Sequence, residues 1–518
     1  ANSSTFEVEI GGTSPGTAIT NHDQLDATGS VSIGTGVTLS LVEFNSFGGS
    51  VSVGDSFRII NRTGGSGTFN GLAEGAEVSA DFFGSGFSAE ITYAGGDGDD
   101  VVITVGATLV AVSGGTLTVS DSAGQANTFS ITLINGGTDI QIRDTANPIF
   151  AGTGAAQVDT MTVTVPVAGI TGININGGDQ ADSLEVNYSG GDPTNGLGLT
   201  WDGSNPTVAP GDSLTFNLGT GSTTFTNAIY TFDNLNDGSV SLDGVVFNYR
   251  DLEPVTSNIT ATNVTLNYSA AAETITISNA GGGQTTVTST AGEVVTFNDP
   301  TGTLQINAGD TGVNTINVGA LTNPYPANID INGGDGGDSV DLQGSITFAA
   351  DRSLTIDAKR IDNIANTPVI TTSGTGSIAL TATQSILLRA GAVLNTVNGG
   401  VTLSGNAAGT STDLFSGVDL AGAIVTSTGS GAIGLTGRSG TGGPLYGVHL
   451  RTSAQVTSTS ASGGGGITIN GTSNSSADDS YGVFVADTNT LIDSKSGAIQ
   501  ITAVGGTGDS SHGLFLNA

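Results

Sequence analysis

The chain has 518 residues, among them 82 glycines, no cysteine, and 46 acidic against 11 basic side chains, a formal net charge of −35. Such a surface repels nucleic-acid phosphates and anionic headgroups and favours cations, which excludes nucleic acid as a partner. Glycine costs about 1 kcal/mol per helical position relative to alanine, and Val, Ile and Leu alternate with Thr, Ser and Asn, so all-β structure is expected throughout.

No run of about 18 apolar residues occurs, so no membrane insertion is expected within this segment. Ala1-Asn2-Ser3-Ser4-Thr5 lacks the basic and apolar regions of a signal peptide, and any secretion signal is expected upstream. The absence of cysteine fits a protein that works outside the cell without disulfides.

Residues 1–105 read as an N-terminal β-rich unit. Its strands are Phe6-Glu7-Val8-Glu9-Ile10, Val31-Ser32-Ile33, Val37-Thr38-Leu39-Ser40-Leu41, Phe57-Arg58-Ile59-Ile60 and Val101-Val102-Ile103. Between 106 and 350 a strand, Asn-Gly-Gly turn, strand unit recurs. Ile173-Asn174-Ile175-Asn176-Gly177-Gly178-Asp179 returns as Ile329-Asp330-Ile331-Asn332-Gly333-Gly334-Asp335, and less closely as Leu304-Gln305-Ile306-Asn307-Ala308-Gly309-Asp310. Irregular β-helical coils are the reading for this stretch, with stacked β-sandwiches as the alternative.

The strongest repeat lies in 351–518 and opens at Gly417, Gly447, Gly482 and Gly513. Each glycine leads into an aliphatic-x-aliphatic strand: Val418-Asp419-Leu420, Val448-His449-Leu450, Val483-Phe484-Val485 and Leu514-Phe515-Leu516. A second strand aligns Val425, Val456 and Leu491, and a third aligns Ile433/Leu435, Ile467/Ile469 and Ile499/Ile501. Upstream, Leu354-Thr355-Ile356 and Ile386-Leu387-Leu388 read as fainter copies of the opening strand. Three apolar stripes per repeat cannot be buried in one layer, whereas coiling the chain and stacking the coils buries all three. A parallel β-helix solenoid with 30–35-residue coils is therefore expected for the C-terminal part, extending over most of the chain. Neither end reads as capped, so the chain is expected to be a piece of a longer protein.

The opening segment resembles a unit that follows autotransporter-associated β-strand repeats in giant bacterial surface proteins. The resemblance rests on Asp23-Gln24-Leu25, Gly54-Asp55-Ser56-Phe57, Gly67-Thr68-Phe69, Glu74-Gly75-Ala76 and Tyr93 through Val102. The later part is similar in architecture and composition to β-helical passengers of autotransporters and filamentous-haemagglutinin-like adhesins. This resemblance implies an extracellular, cell-surface setting and names no ligand.

Gly95 to Ile103 and Gly333 to Asp341 fit the calcium-binding nonapeptide of repeats-in-toxin proteins, and Gly177 to Glu185 fits except at Gln180. Calcium takes six to eight oxygen ligands, and one isolated turn supplies too few, so a Gly/Asp turn opening a strand is the favoured reading. Asp97, Asp100, Asp182, Asp335 and Asp338 are the candidate calcium ligands.

Three histidines, no cysteine and no hydroxyl with an evident base give no catalytic constellation, and an enzyme is not expected. Asp357, Lys359, Arg360 and Asp362 form the one dense mixed-charge cluster, which a solvated edge explains. The connections from third to first strand keep nearly constant length while their chemistry changes. Stacking would gather them into a ridge carrying Arg438, Asp478, Asp479 and Asp509, with Tyr446, Tyr481 and His512 as an aromatic ladder at its base. These are the candidate contact residues. The expected function is a non-catalytic structural or adhesive segment of a large bacterial surface protein. Its expected partners are other copies, neighbouring domains or glycans. A β-helix carbohydrate-active enzyme and a calcium-dependent surface-assembly unit are the alternatives.

Overall fold

A computed structural model describes residues 4–517 apart from 53, 75, 80, 86, 97, 107, 122–125, 205–210, 222, 270–271, 310–311, 335–336 and 365. The fold is all-β: among the described residues, strands are joined by turns and three short 3-10 segments, with no α-helix. The chain divides into two compact units, Ala1–Thr223 with Val245–Asn258, and Thr224–Gly244 with Ile259–Ala518.

The first unit opens with strand Ser4–Ile10 lying parallel to Val37–Glu43. Beside it, Ser56–Asn61, Asp100–Gly106, Ser88–Gly95 and Ala76–Ser79 pair antiparallel in that order. Alternation along these strands turns Phe57, Ile59, Ile91, Ile103 and Val105 into a core shared with Val8, Ile10, Phe69 and Phe82. Val31-Ser32-Ile33 is not a strand, contrary to its alternating pattern. Its N–H groups bond to the carbonyls of Gly64 and Ser66, and a side chain at Gly65 or Gly67 would collide with the Val31 or Ile33 carbonyl. Two glycines in close approach replace a ladder.

Beyond the antiparallel part, the same unit builds two parallel ladders. Thr116–Asp121, Gly172–Asn176, Leu199–Asp202 and Val245–Arg250 form one. Thr128–Ile134, Ser183–Asn187, Ser213–Asn217 and Val255–Ser257 form the other. Their inward residues meet in the core, Phe129 against Trp201 at 6.2 Å and Phe216 against Phe247 at 5.0 Å.

The second unit carries one ladder through Thr303–Asn307, Asn328–Asn332, Leu354–Asp362, Ile378–Arg389, Val401–Gly405, Ile433–Arg438, Ile467–Thr472 and Ile499–Val504, every pair parallel. A second ladder runs through Val418–Ala421, Val448–Arg451, Val483–Ala486 and Leu514–Asn517, with Val418, Val448, Val483 and Leu514 in direct register. From Ile346 onward a third joins them: Ile346–Ala350, Val369–Ser373, Val393–Thr396, Ile424–Ser427, Gln455–Ser458 and Leu491–Ser494. Inward aliphatics such as Leu403, Leu435 and Ile469 are fully buried. At roughly 25 cal/mol per Å2 of apolar area, these stacked stripes are the main stabilising term.

Two alignments differ from the sequence reading. Leu354 pairs with Ile378, not with Ile386, which sits between Ile361 and Val418. The step from Leu354 to Ile378 is 24 residues, shorter than the later repeats, and the partner strand offers a second aliphatic-x-aliphatic triplet. Val456 pairs with Ile492, while Leu491 faces Gln455 and is 44% exposed. Adjacent aliphatics leave a period-two pattern ambiguous by one residue.

Candidate functional site

The Gly-Gly-Asp turns place their last aspartate inward. Asp182 is 2% exposed and Asp338 fully buried. Asp182 Oδ1 accepts the backbone N–H of Asn127 at 2.5 Å, and Asp182 N–H in turn donates to Asp212 Oδ1 at 2.6 Å. In the second unit the chain of contacts repeats: Glu273 N–H donates to Asn314 Oδ1 at 3.0 Å, and Asn314 N–H to Asp338 Oδ1 at 2.5 Å. Each of these accepting side chains thus satisfies the backbone donor just before the neighbouring strand of its ladder. Burial pushes the Asp182 carboxyl up to about 8 and the Asp212 carboxyl up to about 7, with neighbouring carboxylates adding to both shifts.

Glycine is required beside these brackets for a steric reason. A methyl group at Gly177 would overlap the Asp182 carboxylate. Gly178 and Gly334 adopt φ of +89° and +76°, the left-handed region that the turn needs.

Asp100 is used differently: its fully buried carboxylate meets Arg58 Nη1 at 3.0 Å and the Arg62 backbone N–H at 2.8 Å. Asp97 and Asp335 lie outside the described residues. The three candidate ligands that are described thus brace backbone or a guanidinium, and among the described residues no three His, Asp or Glu side chains converge as a metal-ligand set.

The bracket residues share a signature that a motif search for calcium turns passes over. It is an Asp, Asn or Glu, then Ser or Thr, then apolar-x-apolar: Asn127-Thr128-Phe129, Asp182-Ser183-Leu184, Asp212-Ser213-Leu214, Glu273-Thr274-Ile275, Asn314-Thr315-Ile316 and Asp338-Ser339-Val340. Asp212 and Asn314 follow no Gly-Gly-Asp turn, which is why that search misses them.

The other candidates gather at the C-terminal repeats. Tyr446 and Tyr481 stack at 5.6 Å and 15°, and Tyr481 and His512 at 5.8 Å and 8°. Beside them runs a second column on the ladder itself, where Asp419, His449, Phe484 and Phe515 are register partners. His449 stacks on Phe484 at 5.0 Å, and Phe484 lies 5.6 Å from Phe515. The columns touch, with Tyr446 at 4.5 Å from His449 and Tyr481 at 4.6 Å from Phe515, so the tyrosines cover much of the phenylalanines, both half-buried. The glycine after each ladder residue permits close approach: a side chain at Gly417 would strike the backbone of Arg438 and Gly447, and one at Gly447 the backbone of Thr472 and Gly482.

Asp478, Asp479 and Asp509 lie together and exposed above this ladder. Asp509 N–H donates to Asp478 Oδ1 at 2.7 Å, Asp479 N–H donates to the Asp509 carbonyl at 3.1 Å, and Tyr481 Oη donates to Asp479 Oδ1 at 3.1 Å. Arg438 stands apart, at the end of its strand with its side chain against Gly409. At the base of the ladder, Arg451 forks onto Asp419 at 3.0 and 3.1 Å. His449 Nδ1 lies 3.6 Å from the same carboxylate, yet burial holds its pKa down to about 4. His449 was not foreseen as part of this group; its signal was the recurring slot that also holds Phe484 and Phe515.

Asp362 forms an ion pair with Arg389 at 2.9 Å, and the backbone N–H groups of Lys359 and Arg360 donate to the Asp338 carbonyl.

No family model matches the chain, and neither the curated proteins nor the solved structures supply a match.

Proposed function

We propose that this chain is a non-catalytic structural or adhesive segment of a bacterial cell-surface protein, built as a parallel β-helix whose edge loops make the contacts. The in-register ladders of the second unit support the β-helix reading, because equivalent residues of successive repeats are neighbours rather than distant copies. The separate core of Val8 through Val105 supports an N-terminal β-rich unit ahead of the coils.

The observation that carries the adhesive reading is the edge where Asp478, Asp479 and Asp509 stand over the Tyr446, Tyr481 and His512 ladder. Rigid stacked rings below exposed acids present a repeated polar and aromatic surface, and loops on a rigid scaffold are where contacts evolve. Its partners in this reading are glycans, other copies or neighbouring domains of the same surface protein. The high acidity favours an extracellular setting where cations screen the charge.

The test is to replace the interiors of loops 438–445, 472–480 and 505–511 by Gly/Ser of equal length. Binding to a glycan array or to immobilised copies of the chain should be lost while the far-ultraviolet β signal stays intact. Unchanged binding would move the function elsewhere on the chain.

A further inference from the structure

In the first unit the strand Val37–Glu43 pairs with Ser4–Ile10 on one side and forms the edge of its sheet on the other. The Phe44 N–H donates to the Ile10 carbonyl at 2.9 Å, whereas the Val37 carbonyl accepts from the Asn70 N–H at 2.7 Å, on the far side. Backbone groups alternate in direction along a strand, so the N–H and C=O of Leu39 and Leu41 share the Val37 direction and face away from Ser4–Ile10. Among the described residues no strand pairs with them.

Sheet edges are commonly guarded by a lysine, a proline or a bulge. Val37-Thr38-Leu39-Ser40-Leu41-Val42-Glu43 has none of these: its register with Ser4–Ile10 is unbroken, and its one charge is the terminal acid.

This edge borders a groove of about 370 Å3. Leu39 and Leu41 line it from one side, and Val78 and Ser79 from the other, where Ala76–Ser79 is the edge strand of the antiparallel sheet. Phe82 and Phe83, with ring centroids 4.3 Å apart, also line it. Leu39, Leu41, Val78 and Phe83 pack on the core yet stay half-buried. Aliphatic side chains beside an open backbone edge suit an extended chain, whose peptide groups meet the edge while alternate side chains turn onto the aliphatics. A fatty ligand would cover the side chains but desolvate the N–H and C=O groups without replacing their hydrogen bonds.

Charge selects the occupant. Asp81 lines the groove, Glu77 stands exposed on the strand beside it, Glu43 ends the open edge, and among the described residues no basic side chain lines the groove. Val78 packs on the core, so Glu77 and Ser79 on the same strand face the other way. An added strand with apolar residues toward the core would turn the residues between them to the Glu77 side, where a basic side chain gains most. A second copy of the chain, at a net charge of −35, is repelled.

We propose that this edge and groove bind an extended segment of a partner protein, apolar at alternate residues and basic between them, by strand addition to Val37–Glu43. The assignment goes beyond the adhesive reading and does not rest on the C-terminal edge.

The experiment is isothermal titration calorimetry on the whole chain with an acetylated, amidated heptapeptide of alternating lysine and valine. Saturable binding at one peptide per chain is expected, with the alternating glutamate and valine peptide about tenfold weaker or more. N-methylation of all the valines, or of all the lysines, removes alternate backbone donors, and one of the two sets should weaken binding about tenfold. Ser79→Trp should block the groove, and Glu77→Lys with Asp81→Lys, both at exposed positions, should weaken binding about tenfold. No saturable binding, equal binding of the acidic peptide, or indifference to both N-methylated sets would overturn the assignment, the last because charge attraction alone needs no backbone donors. Should Ser79→Trp fail to fold by circular dichroism, the N-methylated pair decides by itself. Self-association of the chain that Ser79→Trp abolishes would give the groove to a second copy and overturn the assignment as well.

Discussion

Asp212 Oδ1 accepts the backbone N–H of Asp182 at 2.6 Å, so one buried carboxyl closes the hydrogen-bonding gap that opens where the next carboxyl leaves its strand. Each has a second oxygen, Oδ2, with no hydrogen-bond partner among the described residues. This is an arrangement suited to a neutral carboxyl and unkind to a charged one.

The pH dependence follows. The folded pKa values, about 8 and about 7, lie above the ordinary aspartate range, so the folded state binds the extra protons between pH 4 and 8. Stability from these groups is full below the unfolded pKa and is lost as pH rises through 7 to 8. Asp182→Asn and Asp212→Asn keep the Oδ1 acceptor and remove the charge. Each should raise the melting temperature at pH 8 and flatten its fall between pH 5 and 8. A wild-type melting temperature that climbs over this range would refute the neutral-bracket account.

Glycine substitutions separate close approach from chain freedom. Gly177→Ala would drive a methyl group into the Asp182 carboxylate and should destabilise the fold by about 1–3 kcal/mol in urea unfolding. Gly434, between Thr402 and Thr468 in its ladder, has only the Val401 carbonyl at 4.0 Å from an added methyl. Gly434→Ala should be neutral or stabilise by about 0.4–1 kcal/mol through the unfolded chain. Equal losses at both positions would remove the steric argument.

His449 runs the opposite way from the buried acids. Burial lowers its pKa to about 4, against the pull of Asp419 and Asp487 and with the help of Arg451. The unfolded chain therefore binds the extra proton between pH 4 and 6.5, and stability from this group is full above 6.5 and lost as pH falls. Its imidazole resonances should show a neutral ring at pH 6. His449→Phe should continue the phenylalanine column and flatten the acid side of the melting curve. A ring that titrates near 6.5 would mean that the aromatic columns are open to water.

How much of this was legible follows from where the spacing held. Val418, Val448, Val483 and Leu514 could be aligned because each opens behind a glycine whose close approach fixes the register. Leu354 aligns with Ile378 and not with Ile386; steps of 24 and 32 residues between register partners (354 to 378 and 386 to 418) both offer aliphatic-x-aliphatic triplets, and pattern alone does not say which face a triplet serves. Asp182 and Asp338 are candidate calcium ligands in the sequence, with a Gly/Asp turn opening a strand as the favoured reading, because the sequence shows acids and glycines together. Whether a carboxylate faces solvent or a backbone N–H is decided by the strand beside it, which local sequence does not contain. For the contact edge, constant loop length brought Asp478, Asp479 and Asp509 together correctly. The same reading puts Arg438 on that ridge, whereas its side chain lies against Gly409.

Tyr481 separates the two roles given to the aromatic edge. Its ring, 6% exposed, touches Tyr446, Phe484, His512 and Phe515, while its hydroxyl reaches only outward, to Asp479. Tyr481→Ala removes four ring contacts and should cost about 3–5 kcal/mol, as for other buried aromatics. Tyr481→Phe keeps every ring contact and gives up one hydrogen bond at the surface, worth about 0.5–1.5 kcal/mol. If the ladder only braces the coils, Tyr481→Phe should leave binding to glycans or to copies of the chain unchanged, and Tyr481→Ala should lose binding only in proportion to lost structure. If the edge is the contact surface, releasing Asp479 from the Tyr481 hydroxyl alters the exposed acid cluster itself. Tyr481→Phe should then change affinity severalfold while the melting temperature falls by no more than the loss of that one hydrogen bond explains. Measuring both quantities on both variants decides between a brace and a contact, because only a contact separates affinity from stability.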